Sequence, residues 1–354
     1  MNKGSLKLKV AHIVGSLNVG GAERFVIDLC SIQKQSNMKP AIISLGNPDD
    51  PLVNECKVNN IPVASYGGGS VIKILRVFIV LLKFDVIHIH SPHALKFISY
   101  ILPFFNQTII YTRHGADALA ETKWIILHRK IKSYINYLTF VSHEGMTNFQ
   151  QHHHWQNMSC SVIDNGVLID PIIKEYSHLL RIGSVGRMIP LKHQISLLKA
   201  VSLLIGETQK NIELHFFGDG ECLAQLESYQ AKNLTGVAVN FHGMVTEREF
   251  IYSNIDVLVV TSETEGLSMV IIEAMANKIP VIATDVGGNP KLVVHGKTGW
   301  LFDYDDHQKL ADHIQMLFDN DDLLVASGDN AFTYISENFS INNSAKKYAE
   351  LYLQ

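Results

Sequence analysis

The residues best suited to chemistry lie in an acidic, glycine-containing stretch in the second half of the sequence. Glu265 is followed by Gly266, Leu267 and Ser268, and Glu273 comes eight residues after Glu265. The glycine permits a close backbone approach, and the N–H groups that open the next helix are expected to point at an anion. Eight residues is a little over two helical turns, which predicts both carboxylates near one face of a helix end. The alternative is a capping glutamate and an unrelated glutamate at the edge of the core.

Two cations form a second candidate group. Gly186 and Arg187 follow a strand-like run, and Lys192 comes five residues after Arg187. A planar guanidinium and a mobile ammonium at the start of a helix suit a diphosphate. The alternative is a pair of solvated surface cations.

Gly20 and Gly21 form a third candidate, a turn between a strand and a helix that lets backbone N–H groups approach a phosphate or a hydroxyl. The spacing is not G-x-G-x-x-G, and no acidic residue ends the next strand to hold a ribose. A dinucleotide site is therefore not expected, and the Walker A pattern is also missing. The alternative is a tight turn without a ligand.

The histidines invite a metal interpretation at two places, His88, His90 and His93, and the run at 152–154. Although His-x-His on a strand places both rings on one face, no carboxylate or cysteine completes a ligand set at a recognisable spacing. No metal site is expected, and residues 152–154 read as a solvated helix end. His114 differs, because it directly follows a strand end, where open α/β sheets bind ligands.

These residues must be positioned by a chain of 354 residues, a length typical of two domains. With 47% hydrophobic and 18% charged residues, the composition excludes a disordered or collagen-like chain. The four cysteines are far apart, which fits a reducing compartment, and neither a signal peptide nor a membrane span is indicated. Residues 1–170 hold 16 basic and 11 acidic residues and residues 171–354 hold 14 and 23, so a +5 half precedes a −9 half.

Strand-like and helix-like stretches alternate throughout, which predicts an α/β protein with parallel sheets. The alternation pauses at residues 164–180, where Asn-Gly and a proline indicate a domain boundary, and then restarts. We expect two doubly wound, Rossmann-like domains facing each other across a crevice, with ligands at the carboxyl ends of the strands.

Taken together, the motifs resemble those of the retaining glycosyltransferases of family 4, which have the GT-B fold. The resemblance includes the E-x7-E motif from Glu265 to Glu273, and Gly186 and Arg187 with Lys192. It also includes residues 18–23, 112–115, 140–142, 163–167 and 296–300, all in order along essentially the whole chain. One departure is His193, where the family usually has glycine.

The resemblance implies domain bounds of 1–168 for an acceptor-binding domain and 169–335 for a nucleotide-sugar-binding domain, with a helix at 336–354 returning to the first domain. It also implies roles for the individual residues. Arg187 and Lys192 would neutralise the diphosphate leaving group in place of a metal, and Glu265 would contact donor-sugar hydroxyls. Glu273 would take the ribose hydroxyls, and His114 would bond to the donor sugar near the reacting carbon.

The remaining implied contacts involve main-chain groups. The N–H groups after Gly266, at Leu267 and Ser268, would meet sugar and phosphate, while Gly20 and Gly21 would approach the phosphate or the acceptor. The donor-binding set also includes Gly186, Gly218 and Met244, the last from a loop that would offer backbone groups to the base.

The resulting hypothesis is a retaining, metal-independent hexosyltransferase that needs no cofactor beyond its donor, with a UDP-sugar favoured. Its acceptor would be a glycan or a polyprenyl-linked lipid in bacterial capsule, O-antigen or exopolysaccharide assembly. Two alternatives stay open: a catalytically silent sugar-nucleotide-binding subunit, and a sugar-nucleotide epimerase or phosphorylase of the same fold. No nucleic-acid partner is expected.

A last expectation concerns an anionic membrane surface. Residues 71–83 and 123–140 combine lysine and arginine with aliphatic and aromatic residues and contain no acid. Basic residues beside aromatics on amphipathic helices favour anionic bilayers. This predicts a cytoplasmic protein that lies peripherally on the inner face of the membrane. The alternative is that the apolar faces pack on the sheet and the cations are solvated.

Overall fold

Parallel strands and helices alternate along the chain, as the sequence pattern predicts. The computed structural model describes residues 7–68, 71–115, 119–153, 155, 159–172, 174, 179–204 and 211–354. The strands are β1 Leu8–Val14, β2 Met38–Ser44, β3 Val63–Ser65, β4 Val86–Ile89, β5 Thr108–Arg113, β6 Tyr137–Phe140, β7 Cys160–Val162, β8 Leu180–Val185, β9 Ile212–Phe217, β10 Ala238–Phe241, β11 Val257–Val260, β12 Val281–Thr284 and β13 Gly299–Phe302.

The helices are numbered along the described residues. They are α1 Gly21–Gln35, α2 Val53–Val58, α3 Val71–Leu81, α4 Pro92–Ile98, α5 Thr122–Ile131, α6 His143–His153, α7 Ile195–Leu203, α8 Leu223–Asn233, α9 Arg248–Ser253, α10 Met269–Ala276, α11 Asn289–Leu292, α12 His307–Phe318, α13 Asp321–Asn338 and α14 Ile341–Tyr352. Short 3₁₀ turns lie at Leu102–Phe104, Lys132–Tyr134 and Pro190–Lys192.

The chain divides into two units. The first comprises Met1–Gly166 with Ile341–Gln354, and the second is Val167–Ser340. The boundary expected after residue 168 lies beside the observed division. The final segment grouped with the first unit begins at Ile341 rather than at 336.

The first unit is built on a seven-stranded parallel sheet of order β3-β2-β1-β4-β5-β6-β7. Its central strands are apolar runs buried on both faces, as parallel sheets covered by helices require. The strand order reverses between β1 and β4, so the loops after these strands diverge at the carboxyl edge and leave room for a ligand.

The second unit repeats this construction with a six-stranded parallel sheet of order β10-β9-β8-β11-β12-β13. Here the order reverses between β8 and β11. The loop after β8 carries Arg187 and Lys192, and the loop after β11 carries Glu265. The topology therefore brings two sequence-distant motifs to one point of the sheet edge.

One expectation about helices is wrong. Glu265 precedes α10, which starts only at Met269, so Glu265 and Glu273 do not lie on one helix. Within residues 123–140, only the stretch up to Ile131 belongs to the α-helix α5, and residues 137–140 form the largely buried strand β6. Within the described residues, no helix combines the length and the apolar character needed to cross a bilayer.

Candidate functional site

The second unit pairs a predicted cation with a predicted acid. Lys192 Nζ lies 2.5 Å from Glu265 Oε1, and Ser262 Oγ donates to the same oxygen at 2.7 Å. The Lys192 and Glu265 side chains are 24% and 10% exposed, so the pair is shielded but reachable. A charge-assisted hydrogen bond of this kind orients both side chains. The ammonium has three N–H donors, and this contact occupies one of them.

The backbone between β11 and Glu265 is tied to the loop that carries Lys192. Thr261 Oγ1 donates to Lys192 O at 2.8 Å, and Glu263 N donates to Leu191 O at 2.9 Å. These bonds join the loops after β8 and β11 independently of the ion pair. The site is therefore fixed by main-chain contacts as well as by charge.

Three glycines draw the loops after β8, β9 and β10 together. Gly218 has φ of +140°, and a Cβ there would lie 2.0 Å from Gly186 O. Gly218 N donates to Gly243 O at 2.7 Å, and Met244 beside it is 57% exposed. Arg187 follows β8 at the same edge of the sheet, and its side chain is exposed. The predicted residues Gly186, Arg187, Gly218 and Met244 thus share one rim.

His193, the departure from the family pattern, adopts φ of +49°, a conformation that favours glycine. Its Nε2 lies 3.0 Å from Asp305 Oδ1, and His307 Nε2 lies 3.0 Å from the same oxygen. These contacts hold the strained residue in place. The backbone at His193 thus has a conformation that glycine adopts readily, and the expectation that the lysine keeps its role stays a prediction.

Glu273 lies on α10 with different partners. It is 4% exposed; Tyr252 Oη donates to its Oε2 at 2.6 Å, and Arg248 Nε lies 3.3 Å from its Oε1. The carboxylate is thus paired, as its apolar surroundings require. It also lines a cavity of about 540 Å³ whose wall includes Arg248 and residues 167, 168 and 170–172. Carboxylate oxygens accept more than one hydrogen bond, so its predicted contact with ribose hydroxyls stays a prediction.

The turn after β12 packs closely against the backbone of Glu265. Gly287 has φ of +53°, and a Cβ there would lie 1.9 Å from Glu265 O. Gly288 N donates to the same oxygen at 3.2 Å, and a Cβ on Gly288 would lie 1.9 Å from Gly266 O. The buried Leu267 and Ser268 then lead into α10. The position of Glu265 depends on two residues without side chains.

We expect Gly287→Ala to displace Glu265 and to weaken donor binding at least tenfold, because the new methyl group would overlap a backbone oxygen. Gly296→Ala is the matched control: its φ is +73°, and no atom lies within 4 Å of the added Cβ. The control should lose only about 1 kcal/mol of stability from backbone strain. Titration of both variants with donor, beside their thermal midpoints, checks this. Equal donor affinities in the two variants would contradict it.

In the first unit, Gly20 caps α1 and Gly21 begins it. A Cβ on Gly20 would lie 2.3 Å from Glu23 Oε2, so an acidic side chain rests against this turn. An acid here disfavours a phosphate and favours a hydroxyl-bearing group. Of the two ligands expected at this loop, the acceptor fits better.

His114 follows β5, as expected, and joins three other histidines. His90 Nδ1 lies 3.1 Å from His114 Nε2, and His90 Nε2 lies 2.9 Å from His12 Nδ1. Burial lowers the pKa of His114 to about 4, and the Asn165 side chain beside it acts in the opposite sense. Burial likewise lowers the pKa of His12 to about 4 and that of His90 well below its ordinary value. All three imidazoles are neutral near pH 7.

The ring nitrogens of His12, His88 and His90 are close enough to hold a metal ion. However, every ring nitrogen of the three already has a protein partner, from Gln33, Tyr352, Thr112 or another histidine. These contacts favour a hydrogen-bonded chain over a metal centre. His93 lies apart, exposed on α4 against Trp124. His152 is exposed at the end of α6, while the His153 side chain and His154 lie outside the described residues.

Comparison with known proteins assigns both units. The family model described as Glycosyltransferase Family 4 matches residues 19–170, and the model described as Glycosyl transferases group 1 matches residues 170–333. A glycosyltransferase of Methanocaldococcus jannaschii, itself uncharacterized, is 30% identical over 255 residues, which are 68% of either chain.

A second relative is the poly(ribitol-phosphate) alpha-N-acetylglucosaminyltransferase of Staphylococcus aureus strain COL. It is 29% identical over 192 residues, which are 54% of this chain but only 38% of that enzyme. Among solved structures, Anabaena HepE in complex with UDP and glucose superposes with a TM-score of 0.82 at 20% identity, over 97% of this chain and 98% of that one. With both units matched and the GT-B fold shared, the chain belongs to the family 4 glycosyltransferases.

Proposed function

We propose that this protein is a retaining, metal-independent glycosyltransferase that transfers a sugar from a UDP-sugar to a glycan or lipid-linked acceptor of the cell surface. The observation that carries the proposal is the Lys192–Glu265 pair at the strand-order reversal of the second unit, with Arg187 on the same rim. The donor class is supported by HepE, whose structure holds UDP and glucose. The acceptor class is supported by the S. aureus relative, whose name specifies the polymer poly(ribitol-phosphate).

The chemistry follows from charge. Breaking the bond between the sugar C1 and the diphosphate leaves negative charge on the phosphate and an oxocarbenium-like sugar. Preorganised cations aimed at the developing anion are typically the largest catalytic term. Arg187 and Lys192 would supply two fixed positive charges there, the role that a divalent cation fills in other enzymes.

Glu265 has two roles in this proposal. One of its oxygens holds Lys192 in place, and the carboxylate is available to accept hydrogen bonds from donor-sugar hydroxyls. Arg187 has no such ion pair among the described residues, and its exposed guanidinium would meet the diphosphate. No nucleophile is required if the acceptor attacks from the face that the leaving group vacates, which retains the anomeric configuration.

The direct test is transfer of labelled sugar from a panel of UDP-sugars and GDP-mannose to an extracted lipid-linked glycan acceptor. Product with the donor's anomeric configuration, formed equally well with EDTA, is expected. Product that needs added Mg²⁺ or Mn²⁺ would overturn the metal-free mechanism, and product of inverted configuration would overturn retention. If UDP raises the thermal midpoint but no donor supports transfer, the protein is the silent subunit and not an enzyme.

The proposal includes docking on an anionic bilayer through α3. One face of this helix is apolar and exposed at Val71, Ile72, Leu75 and Ile79, and Leu82 follows directly after the helix; their exposed fractions range from 50% to 83%. An exposed apolar face of this size marks an interaction surface.

The neighbouring residues extend this surface and give it charge. Phe104, 68% exposed, contacts Phe78 of α3, and Lys130 of α5 lies 5.3 Å from the centre of the Tyr100 ring. Arg76, Lys83 and Arg129 are exposed as well. Positive charge around an exposed apolar face fits anionic lipid, to which each basic residue contributes about 1 kcal/mol.

Two residues expected at this surface point elsewhere. Lys73 Nζ donates to Leu45 O at 2.9 Å and to Gly68 O at 3.0 Å, so it secures a loop. Trp124 is 5% exposed and packs inside the unit. The membrane surface is thus α3 with residues 100–104 and the basic side of α5.

We expect Leu75→Ser with Ile79→Ser to reduce co-sedimentation with phosphatidylglycerol vesicles at least tenfold, because the buried apolar area is lost. Val58→Ser, at an apolar residue 71% exposed on α2, is the matched control and should bind as the parent does. Arg129→Glu with Lys130→Glu should weaken binding most at low salt. Parent-like sedimentation of the α3 variant would remove the membrane surface from the proposal.

A further inference from the structure

A chain of buried side chains connects α1 to His114 in the first unit. It starts at Gln33, whose Oε1 lies 2.8 Å from His12 Nε2, and continues through His90 to His114. Gln33, His12 and His90 are each less than 5% exposed. Of these four residues, only His114 has a role implied by the family resemblance.

Counting donors assigns the hydrogens. A neutral imidazole has one N–H donor and one acceptor nitrogen, whereas an amide oxygen only accepts. With Gln33 Oε1 facing it, His12 carries its hydrogen on Nε2 and accepts at Nδ1. His90 must then donate from Nε2 and accept at Nδ1, and His114 must donate from Nε2. One amide therefore dictates the tautomer of three histidines in series.

The nitrogen of that amide faces α14. Gln33 Nε2 donates to Tyr352 Oη at 3.3 Å, and Tyr352 Oη lies 2.7 Å from His88 Nδ1. A tyrosine hydroxyl has one hydrogen, so accepting from Gln33 leaves it free to donate to His88. His88 Nε2 in turn donates to Thr112 Oγ1 at 2.7 Å. Turning the Gln33 amide over would exchange donor and acceptor in every hydrogen bond, both in the series that leads to His114 and in the series that leads through Tyr352 to Thr112.

At the other end of this hydrogen-bonded series, Asn165 favours the opposite tautomer of His114. His114 Nδ1 and Asn165 Oδ1 are both buried, and among the described residues neither has a partner within strict hydrogen-bonding geometry, although the nearby Asn165 side chain raises the pKa of His114. With the hydrogen of His114 on Nε2, both of these atoms are acceptors. With it on Nδ1, the ring would donate towards Asn165. The two ends therefore compete for the tautomer of His114.

We propose that Gln33 is a positioning residue that sets the tautomer of His114, acting through His12 and His90, so that the hydrogen lies on Nε2 and Nδ1 is an acceptor. The link to catalysis rests on the proposed function and on the role that the family resemblance implies for His114, a contact with the donor sugar. The tautomer decides which edge of the ring donates and which accepts. Reversing it would mismatch a contact near the reacting carbon.

Ring-nitrogen NMR on ¹⁵N-histidine-labelled protein tests this, because protonated and unprotonated ring nitrogens resonate far apart. The His114 signals are identified by their loss in His114→Gln. We expect His114 to carry its hydrogen on Nε2 in the parent. In Gln33→Met only Asn165 influences the tautomer, so we expect a shift of that hydrogen towards Nδ1. Gln35→Met, at an exposed residue of the same helix, is the matched control and should match the parent.

A milder variant, Tyr352→Phe, frees the amide without opening a cavity and should also raise the Nδ1–H fraction. In transfer assays, Gln33→Met should lower kcat roughly fivefold to tenfold with little change in KM, the loss typical of one mismatched hydrogen bond. A parent His114 with its hydrogen on Nδ1, or ring signals unchanged in both variants, would overturn the inference. The NMR result needs no turnover, so failure of the proposed function leaves this test intact.

Discussion

Replacing Lys192 by alanine is expected to lower turnover by roughly 10²–10³-fold, as removal of one charge-stabilising group from a preorganised site typically does. Arg187→Ala should have an effect of the same order. The two losses have different structural origins. Lys192→Ala also leaves the Glu265 carboxylate without its ion-pair partner, whereas Arg187 is exposed and its loss removes only the charge.

The measurement is kcat at saturating donor for each variant, with Lys192→Arg to restore the charge in part. Lys232→Ala, at an exposed lysine of α8, is the matched control and should turn over as the parent does. Near-parent kcat in both Arg187→Ala and Lys192→Ala would mean that the diphosphate is bound elsewhere.

Glu265→Gln is expected to reduce kcat by roughly 10²-fold, while Glu273→Gln should chiefly raise the dissociation constant of the donor. Glutamine at 265 can still accept from Ser262, but it loses the ion pair that holds Lys192. Ribose contacts are similar in the ground and transition states, so a change at Glu273 should spare the chemical step.

Glu273→Gln needs a stability control, because neutralising this buried acid leaves Arg248 without its counter-charge. Tyr252→Phe removes the other contact of the same carboxylate and leaves the charge in place. A folded Glu273→Gln variant with parent-like donor affinity would remove the ribose assignment. Parent-like kcat in Glu265→Gln would contradict a role of Glu265 in the chemical step.

Much of the second unit could be predicted from the sequence, because its motifs follow strand ends. Once β8 and β11 are recognised as strands, parallel pairing puts their carboxyl ends side by side, and Lys192 must lie near Glu265. The spacing between Glu265 and Glu273 misled us for a physical reason. A helical face argument holds only where both residues are helical, and α10 begins only at Met269.

The histidine chain could not have been predicted in the same way. His12, His88 and Gln33 come from three elements, and only the register that pairs His12 with His88 makes them neighbours. The His-x-His pattern was visible, but its partners on α1 and α14 carry no spacing signal. Similarly, the surface of α3 was recognisable by composition, whereas Trp124 reads as a surface aromatic until its packing is known.

The first unit is discontinuous, which constrains the order in which the chain acquires its structure. During synthesis, residues 7–166 emerge first, yet α14 packs on α1, and its Tyr348 and Tyr352 contact Thr112, His88 and Gln33. Until α14 leaves the ribosome, these buried polar groups lack their contacts with its two tyrosines. The second unit, continuous from Val167 to Ser340, has no such dependence. Nascent chains usually complete their domains in order from the N-terminus. Here the first unit is begun first but completed last, because it needs α14.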